Sequence, residues 1–283
     1  MIYLKPIGGL CNRMRAIDSM ISLCEKHNKN LTIIWLKSKD LNCNFDEIFL
    51  PINHDNIKVI VIQNQFIYNI LTTFLIKKEN IIKNQLWEKM YDSKRNRDKG
   101  LSLTETDQIF YSTIEKLMIG FFKTLRKSFL IESGYRHCKQ DENSYSNFHP
   151  TERIFKNISK TVNQFDKTFG IHIRRTDHIP SIQVSTDDKI ISLIEKLLQE
   201  NPNYNFFLST DCSLTKEKLI TQFKNSIITN QNLTYNRDTR DSIQYAVLDL
   251  FCLSQTQKIY GSFFSSYSQV AAEIGKIENI IIK

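Results

Sequence analysis

Short apolar runs alternate along this chain with amphipathic stretches, and that alternation sets its elements. Ile2-Tyr3-Leu4-Lys5 predicts a strand, followed by a loop with Pro6, Gly8 and Gly9. Apolar side chains then recur at Met14, Ile17, Met20, Ile21 and Cys24, the spacing of a helix over about 12–27. The runs 31–36 and 57–62 read as buried strands, so the N-terminal part winds as strand, helix, strand on a parallel sheet. From 63 to 146 the pattern is mixed, with aromatic runs beside the charged patch 94–99, and it predicts helices and loops. The polar stretch 135–149 has the composition of a loop or linker near a boundary, and a helix follows to about 165.

Beyond that boundary the βα alternation is regular. Strands are expected at 169–174, 205–209, 226–229, 258–261 and 279–282, and helices at 186–200, 214–223, 241–254 and 266–274. The reading is an α/β protein with two domains, 1–150 and 151–283. Neither an internal repeat nor a low-complexity tract is present.

The candidate chemistry sits at strand exits of the second half, where an open α/β sheet forms its ligand crevice. Gly170-Ile171-His172-Ile173-Arg174-Arg175-Thr176-Asp177 ends a strand in a histidine, two arginines and a carboxylate. Strand alternation sends His172, Arg174 and Thr176 to one face and Ile171, Ile173 and Arg175 to the other. Arginine at such a point suits a phosphate, because its planar fork donates paired, charge-assisted hydrogen bonds. The competing reading is a basic strand end with an Arg175–Asp177 surface ion pair. The exits Thr210-Asp211, 236–241 and Gly261-Ser262-Phe263-Phe264-Ser265-Ser266 share this edge. The last opens into a helix, so Ser265 and Ser266 either bind an anion at its N-terminus or simply cap it. Asp249 lies in the apolar run 246–253, where a carboxylate needs a partner. That partner is the donor edge of guanine or, equally well, a group such as His172 or a backbone N–H. In the N-terminal half, Gly8-Gly9-Leu10-Cys11-Asn12-Arg13 is a glycine turn between strand and helix. It matches neither the dinucleotide nor the P-loop pattern, and Arg13 either reaches an anion at the helix start or faces solvent.

Composition narrows the class. At 283 residues, 41% hydrophobic and 24% charged, the chain is globular rather than disordered. A net charge of +8 favours anionic partners without choosing among them. The six cysteines form no Cys-x-x-Cys pair and read as core thiols of a reducing compartment. No stretch has the length of a spanning helix and the first residues lack a signal-peptide pattern, so a soluble cytoplasmic protein is expected. The stretch 117–131, with Phe121, Phe122, Phe129, Lys123, Arg126 and Lys127, reads as an amphipathic core helix or, less readily, as one lying on an anionic membrane. There is no Asp-x-Asp pair to bridge a metal to a diphosphate.

Taken together these residues resemble the GT-B fucosyltransferase superfamily, which includes α-1,6-fucosyltransferases, nodulation-factor fucosyltransferases and protein O-fucosyltransferases. The resemblance is carried by 172–177, by Phe207-Leu208-Ser209-Thr210-Asp211, by Asn236-Arg237 with 249–255, and by 261–266. Order and spacing are similar to the α-1,6 branch over roughly 169–275, whereas the N-terminal half is similar only in its Asn12-Arg13 turn. The resemblance implies a GT-B-like fold of two Rossmann-type domains, acceptor-side over 1–150 and donor-binding over 151–283. It implies an inverting transfer of L-fucose from GDP-fucose with no metal or other cofactor, and the cytoplasmic expectation and basic surface point to a glycan or lipid-linked oligosaccharide as acceptor, in polysaccharide biosynthesis, with no nucleic acid as partner. Arg174 would hold the β-phosphate and stabilise departing GDP, His172 and Asp249 would contact guanosine, and Ser265 and Ser266 the diphosphate. Arg175, Asp211, Arg237, Asn12 and Arg13 complete the candidate substrate contacts. The α-1,6 enzymes place a glutamate shortly after the Arg-Thr-Asp motif, where this chain has Ile179-Pro180-Ser181-Ile182-Gln183. The base is therefore Asp177, Asp187 or Asp188, or else a dissociative transition state needs little base help. A transferase of another GDP-sugar and a non-catalytic nucleotide-binding relative are the alternatives. Location is expected in the cytoplasm, with peripheral association at the inner face of the membrane.

Overall fold

The computed structural model describes residues 1–97, 103–124, 128–176, 178–230 and 239–283. They form two compact units, Met1–His149 and Pro150–Lys283, each with its own parallel sheet.

In the first unit β1 (Ile2–Pro6), α1 (Leu10–Lys26), β2 (Leu31–Leu36) and β3 (Ile57–Ile62) form the expected winding. All six residues of β2 are buried, as a central parallel strand covered on both faces requires. α2 (Gln65–Leu75), β4 (Ile81–Ile82), α3 (Asn84–Arg97), α4 (Leu103–Thr124) and β5 (Phe129–Ser133) follow, and the sheet order is β3-β2-β1-β5-β4. The middle region thus supplies two strands where only helices and loops were expected, and β5 pairs directly with β1. The stretch 117–131 is no single helix. Its first part ends α4, which buries Phe110, Ile114, Met118 and Phe122 on one stripe, and its last part is β5. Phe122 and Phe129 are buried, in line with the core reading, and Arg126 and Lys127 of that stretch lie outside the described residues.

The second unit begins with α5 (Glu152–Val162) and β6 (Thr168–Ile173). A short α6 (Ile179–Val184) precedes α7 (Asp187–Glu200), β7 (Asn205–Thr210), α8 (Ser213–Phe223) and β8 (Ile227–Ile228). Then come α9 (Arg240–Leu253), β9 (Ile259–Ser262), α10 (Ser266–Gly275) and β10 (Asn279–Ile282). The sheet order β10-β9-β6-β7-β8 is that of a Rossmann unit, and the order reverses between β6 and β9. Ile171 and Ile173 pack with Ile190, Ile194 and Leu197 of α7, while His172 stacks on Tyr267 of α10 on the other face. The period-two alternation along β6 therefore sorts its side chains as expected.

One glycine fixes where α10 can start. A Cβ on Gly261 of β9 would overlap Ser268 Oγ and come 2.7 Å from Ser268 Cβ. The bare backbone there lets the first turn of α10 close onto the strand, so the helix N-terminus lies at the sheet's carboxyl edge.

Candidate active site

The loops leaving β6 and β9 are joined by one hydroxyl. Ser262, fully buried, accepts from the Arg174 N–H at 3.1 Å and donates to the His172 carbonyl at 3.2 Å. The β9 exit is pinned again from α6: Ser181 Oγ donates to the Phe263 carbonyl at 2.5 Å. Ser185 Oγ accepts from the Phe263 N–H at 2.8 Å and donates to the Ile282 carbonyl at 2.6 Å. Between these anchors Phe264 is held at φ 58°, in the left-handed region that a bulky side chain seldom occupies, with its ring parallel to that of His178. Such a conformation persists only because its surroundings over-determine it. The consequence is a fixed turn that delivers Ser265 and Ser266 to the start of α10.

Ser265 caps this helix, its Oγ accepting from the Tyr267 N–H at 3.3 Å, so the capping reading of that hydroxyl is what the structure shows. Ser266 is the first residue of the helix, where N–H groups and the positive dipole end favour an anion. Arg174 stands partly exposed at the same reversal of the sheet. His172 is buried against Tyr267, ring centroids 4.8 Å apart, and its Nδ1 has no hydrogen-bond partner among the described residues. Burial holds the imidazole down at about 4, helped by the Arg174 and Arg175 charges and opposed by Asp211. At neutral pH it is uncharged.

Three of the candidate substrate contacts are committed within the chain. The Arg175 Nε and NH2 groups donate to Asp187 Oδ1 at 2.9 and 2.6 Å, and NH2 also reaches the Ser185 carbonyl at 2.7 Å. Among the described residues its acidic partner is Asp187, and the fork ties the β6 exit to the start of α7. Asp211 accepts from the Arg175 N–H at 2.7 Å and from Thr176 Oγ1 at 2.7 Å, so it shapes the loop that carries Arg174. Arg13, in the other unit, is buried. It donates to the carbonyls of Gly8 (2.9 Å) and Leu36 (2.8 Å) and to Ser38 Oγ (2.8 Å), over the Trp35 ring. Neither an anion contact nor a solvent-facing arginine describes it: it locks the glycine turn to the end of β2. Asn12 packs against that turn, where Gly8 takes φ 78°. Asp177, Asn236 and Arg237 lie outside the described residues.

Asp249 is buried on α9, and its Oδ1 accepts from Asn230 Nδ2 at 2.7 Å. Asn230 is itself oriented by Thr161 Oγ1, which donates to its Oδ1 at 2.7 Å, and its carbonyl accepts from Lys216 Nζ. The carboxylate is thus held by a chain of groups from α5, α8 and α9 that no local pattern reveals. Tyr267 also escapes the sequence reading, although its place in the first turn of α10, two residues after the cap, puts it on the site edge. Ser181, Ser185 and Ser262 carry no signal beyond polarity, since their function depends on carbonyls far along the chain.

Neither a protein-family model nor a curated protein sequence matches the chain. Solved structures do. NodZ α-1,6-fucosyltransferase soaked with GDP-fucose aligns over 96% of this chain and 92% of its own, with a TM-score of 0.61 and 14% identity. Fucosyltransferase NodZ from Bradyrhizobium gives 0.59 over 95% and 91%, at 14% identity. POFUT1 in complex with GDP-fucose gives 0.59 over 99% and 97%, at 11% identity. The fold is that of the GT-B fucosyltransferases. At such identities the likeness establishes the fold, and the two parallel five-stranded sheets are its common framework. Among the described residues no helix is long and apolar enough to cross a membrane.

Proposed function

We propose that this chain is an inverting fucosyltransferase that takes L-fucose from GDP-fucose without a metal and passes it to a hydroxyl of a glycan or lipid-linked oligosaccharide. The observation that carries this reading is the convergence, at the strand-order reversal of the second unit, of Arg174, the neutral His172 and the N-terminus of α10. Solved proteins of the same fold bind GDP-fucose, which agrees with a nucleotide-sugar donor there.

In the proposed reaction the acceptor oxygen attacks C1 of fucose as the bond from C1 to the β-phosphate oxygen breaks. Negative charge grows on the leaving diphosphate while the sugar gains oxocarbenium character. Arg174 at the β6 exit and the N-terminus of α10, which Ser265 caps and Ser266 opens, would meet that charge, and preorganised donors of this kind are usually the largest single catalytic contribution. Asp249 would accept from the guanine N–H edge, and Asn230 keeps it oriented. The acceptor proton goes to a carboxylate. Asp177 is the candidate, since Asp187 is ion-paired with Arg175 at 2.6 Å. Asn12 remains a candidate acceptor-side contact, and Arg237 a donor contact. Arg13, Arg175 and Asp211 act by holding loops in place.

Calorimetric titration tests the donor half of this reading. GDP is expected to bind equally with and without EDTA, and UDP at least about tenfold more weakly, one charge-assisted hydrogen bond's worth of selectivity. GDP affinity that disappears with the chelator would remove metal independence, and a chain that binds neither nucleotide has no donor site of this kind.

A further inference from the structure

Helix α2 has three distinct faces. Tyr68 and Thr72 are buried in the core of the first unit, and Gln65, Asn69 and Thr73 form an exposed polar row one helical turn apart. Between these rows Phe66, Ile67, Ile70, Leu71 and Phe74 make a continuous apolar stripe left open by the described residues. Phe66 is 72% and Phe74 85% exposed, and the three aliphatic residues are 37–42% exposed. The helix contains no charged residue. Its carboxyl end runs into exposed Lys77, Lys78 and Glu79, and exposed Lys83 follows, paired with Glu132 at 3.1 Å, so lysines outnumber acids along this flank.

We propose that this face docks the protein on an anionic phospholipid bilayer, with the helix lying in the interface, its phenylalanines among the acyl chains and the lysines at the phosphates. The inference rests on the exposure of α2 and not on the donor-site reading. Two features of the surface select this occupant. A short helix with one apolar face, one polar uncharged face and a basic flank is the pattern of an interfacial helix, and the chain's +8 charge complements anionic lipid. A second copy is a poorer fit. The stripe exposes on the order of 500 Å², so pairing two would bury on the order of 1,000 Å², short of a standard interface.

The test is co-sedimentation of the full chain with mixed phosphatidylcholine–phosphatidylglycerol vesicles and with phosphatidylcholine vesicles. Binding is expected to the anionic vesicles and to be at least about tenfold weaker to the neutral ones. Phe66→Ser with Phe74→Ser should lower binding by at least about tenfold, and Lys77→Gln with Lys78→Gln by roughly fivefold per lysine. Both changes are on exposed side chains, so folding and GDP affinity should be unaffected. As an independent readout, Phe74→Trp should give emission that moves to shorter wavelength when anionic vesicles are added. Wild-type protein that ignores the vesicles, a double-serine variant that binds like wild type, or an unshifted Phe74→Trp spectrum overturns the proposal. So does self-association of the wild type that the double-serine variant abolishes, since the face would then belong to a second copy. Vesicle binding without GDP binding would end the donor-site reading and leave this one standing, and the reverse result would do the opposite.

Discussion

Replacing Arg174 by lysine is expected to lower donor turnover about a hundredfold while GDP affinity falls much less. The substitution keeps the charge but loses the planar fork that can meet two phosphate oxygens at once. That loss is felt most where charge on the diphosphate is greatest, in the transition state. The loop itself should survive, because the Arg174 contact to Ser262 is made by its backbone N–H. Arg175→Lys is the informative neighbour. Its guanidinium bonds Asp187 and the Ser185 carbonyl, so this change is expected to cost stability, about 1.5–3 kcal/mol, with a smaller effect on turnover per folded molecule. Steady-state donor hydrolysis, GDP titration and thermal melts on both variants separate the two roles. Equal turnover losses at the two positions, or a loss at Arg174 seen only in binding, would favour a nucleotide-binding protein without catalysis.

Asp249→Asn is expected to reduce GDP affinity roughly ten- to a hundredfold and to collapse the preference for GDP over UDP. The amide has the carboxylate's shape, and its oxygen can still accept from Asn230. What changes is the second oxygen, replaced by a donor that would oppose the N–H edge of guanine. Competitive titration of the two nucleotides measures this, and a variant that keeps the wild-type GDP/UDP ratio would remove Asp249 from base recognition.

How much of the molecule is legible in its sequence follows from the range of the interactions involved. Strands such as β2 and β6 declare themselves because a buried parallel strand is a local apolar run bounded by polar turns, and β3 does so too although, as the edge strand with Lys58 exposed, it is only partly buried where a buried strand was expected. β5 does not, since Phe129-Leu130-Ile131 is only three apolar residues long, and a short run of that kind fits helix or strand equally. The site follows the same rule. Strand exits and a serine-opened helix are local features, so the sequence alone places His172, Arg174, Ser265 and Ser266 on one edge. The partners of an arginine are not local. Arg13 is buried by Leu36 and Ser38 and Arg175 by Asp187, and in both cases the competing reading is solvent or a nearer acid. Asn230, which holds Asp249, lies just past a two-residue strand with nothing in its surroundings to mark it. The α2 stripe is not legible either, because nothing in its apolar spacing tells that five of its side chains face outward.

The central claim is that the second unit binds and activates a GDP-sugar, and nucleoside diphosphate release from a panel of sugar nucleotides tests it most directly. The purified chain would be incubated in EDTA with GDP-fucose, other GDP-sugars and UDP-sugars. GDP release is expected fastest from GDP-fucose and slower from other GDP-sugars, with no UDP released from UDP-sugars, and the GDP-fucose signal should be lost in Arg174→Lys. Release of UDP in preference to GDP, or no release from any GDP-sugar, would contradict the account.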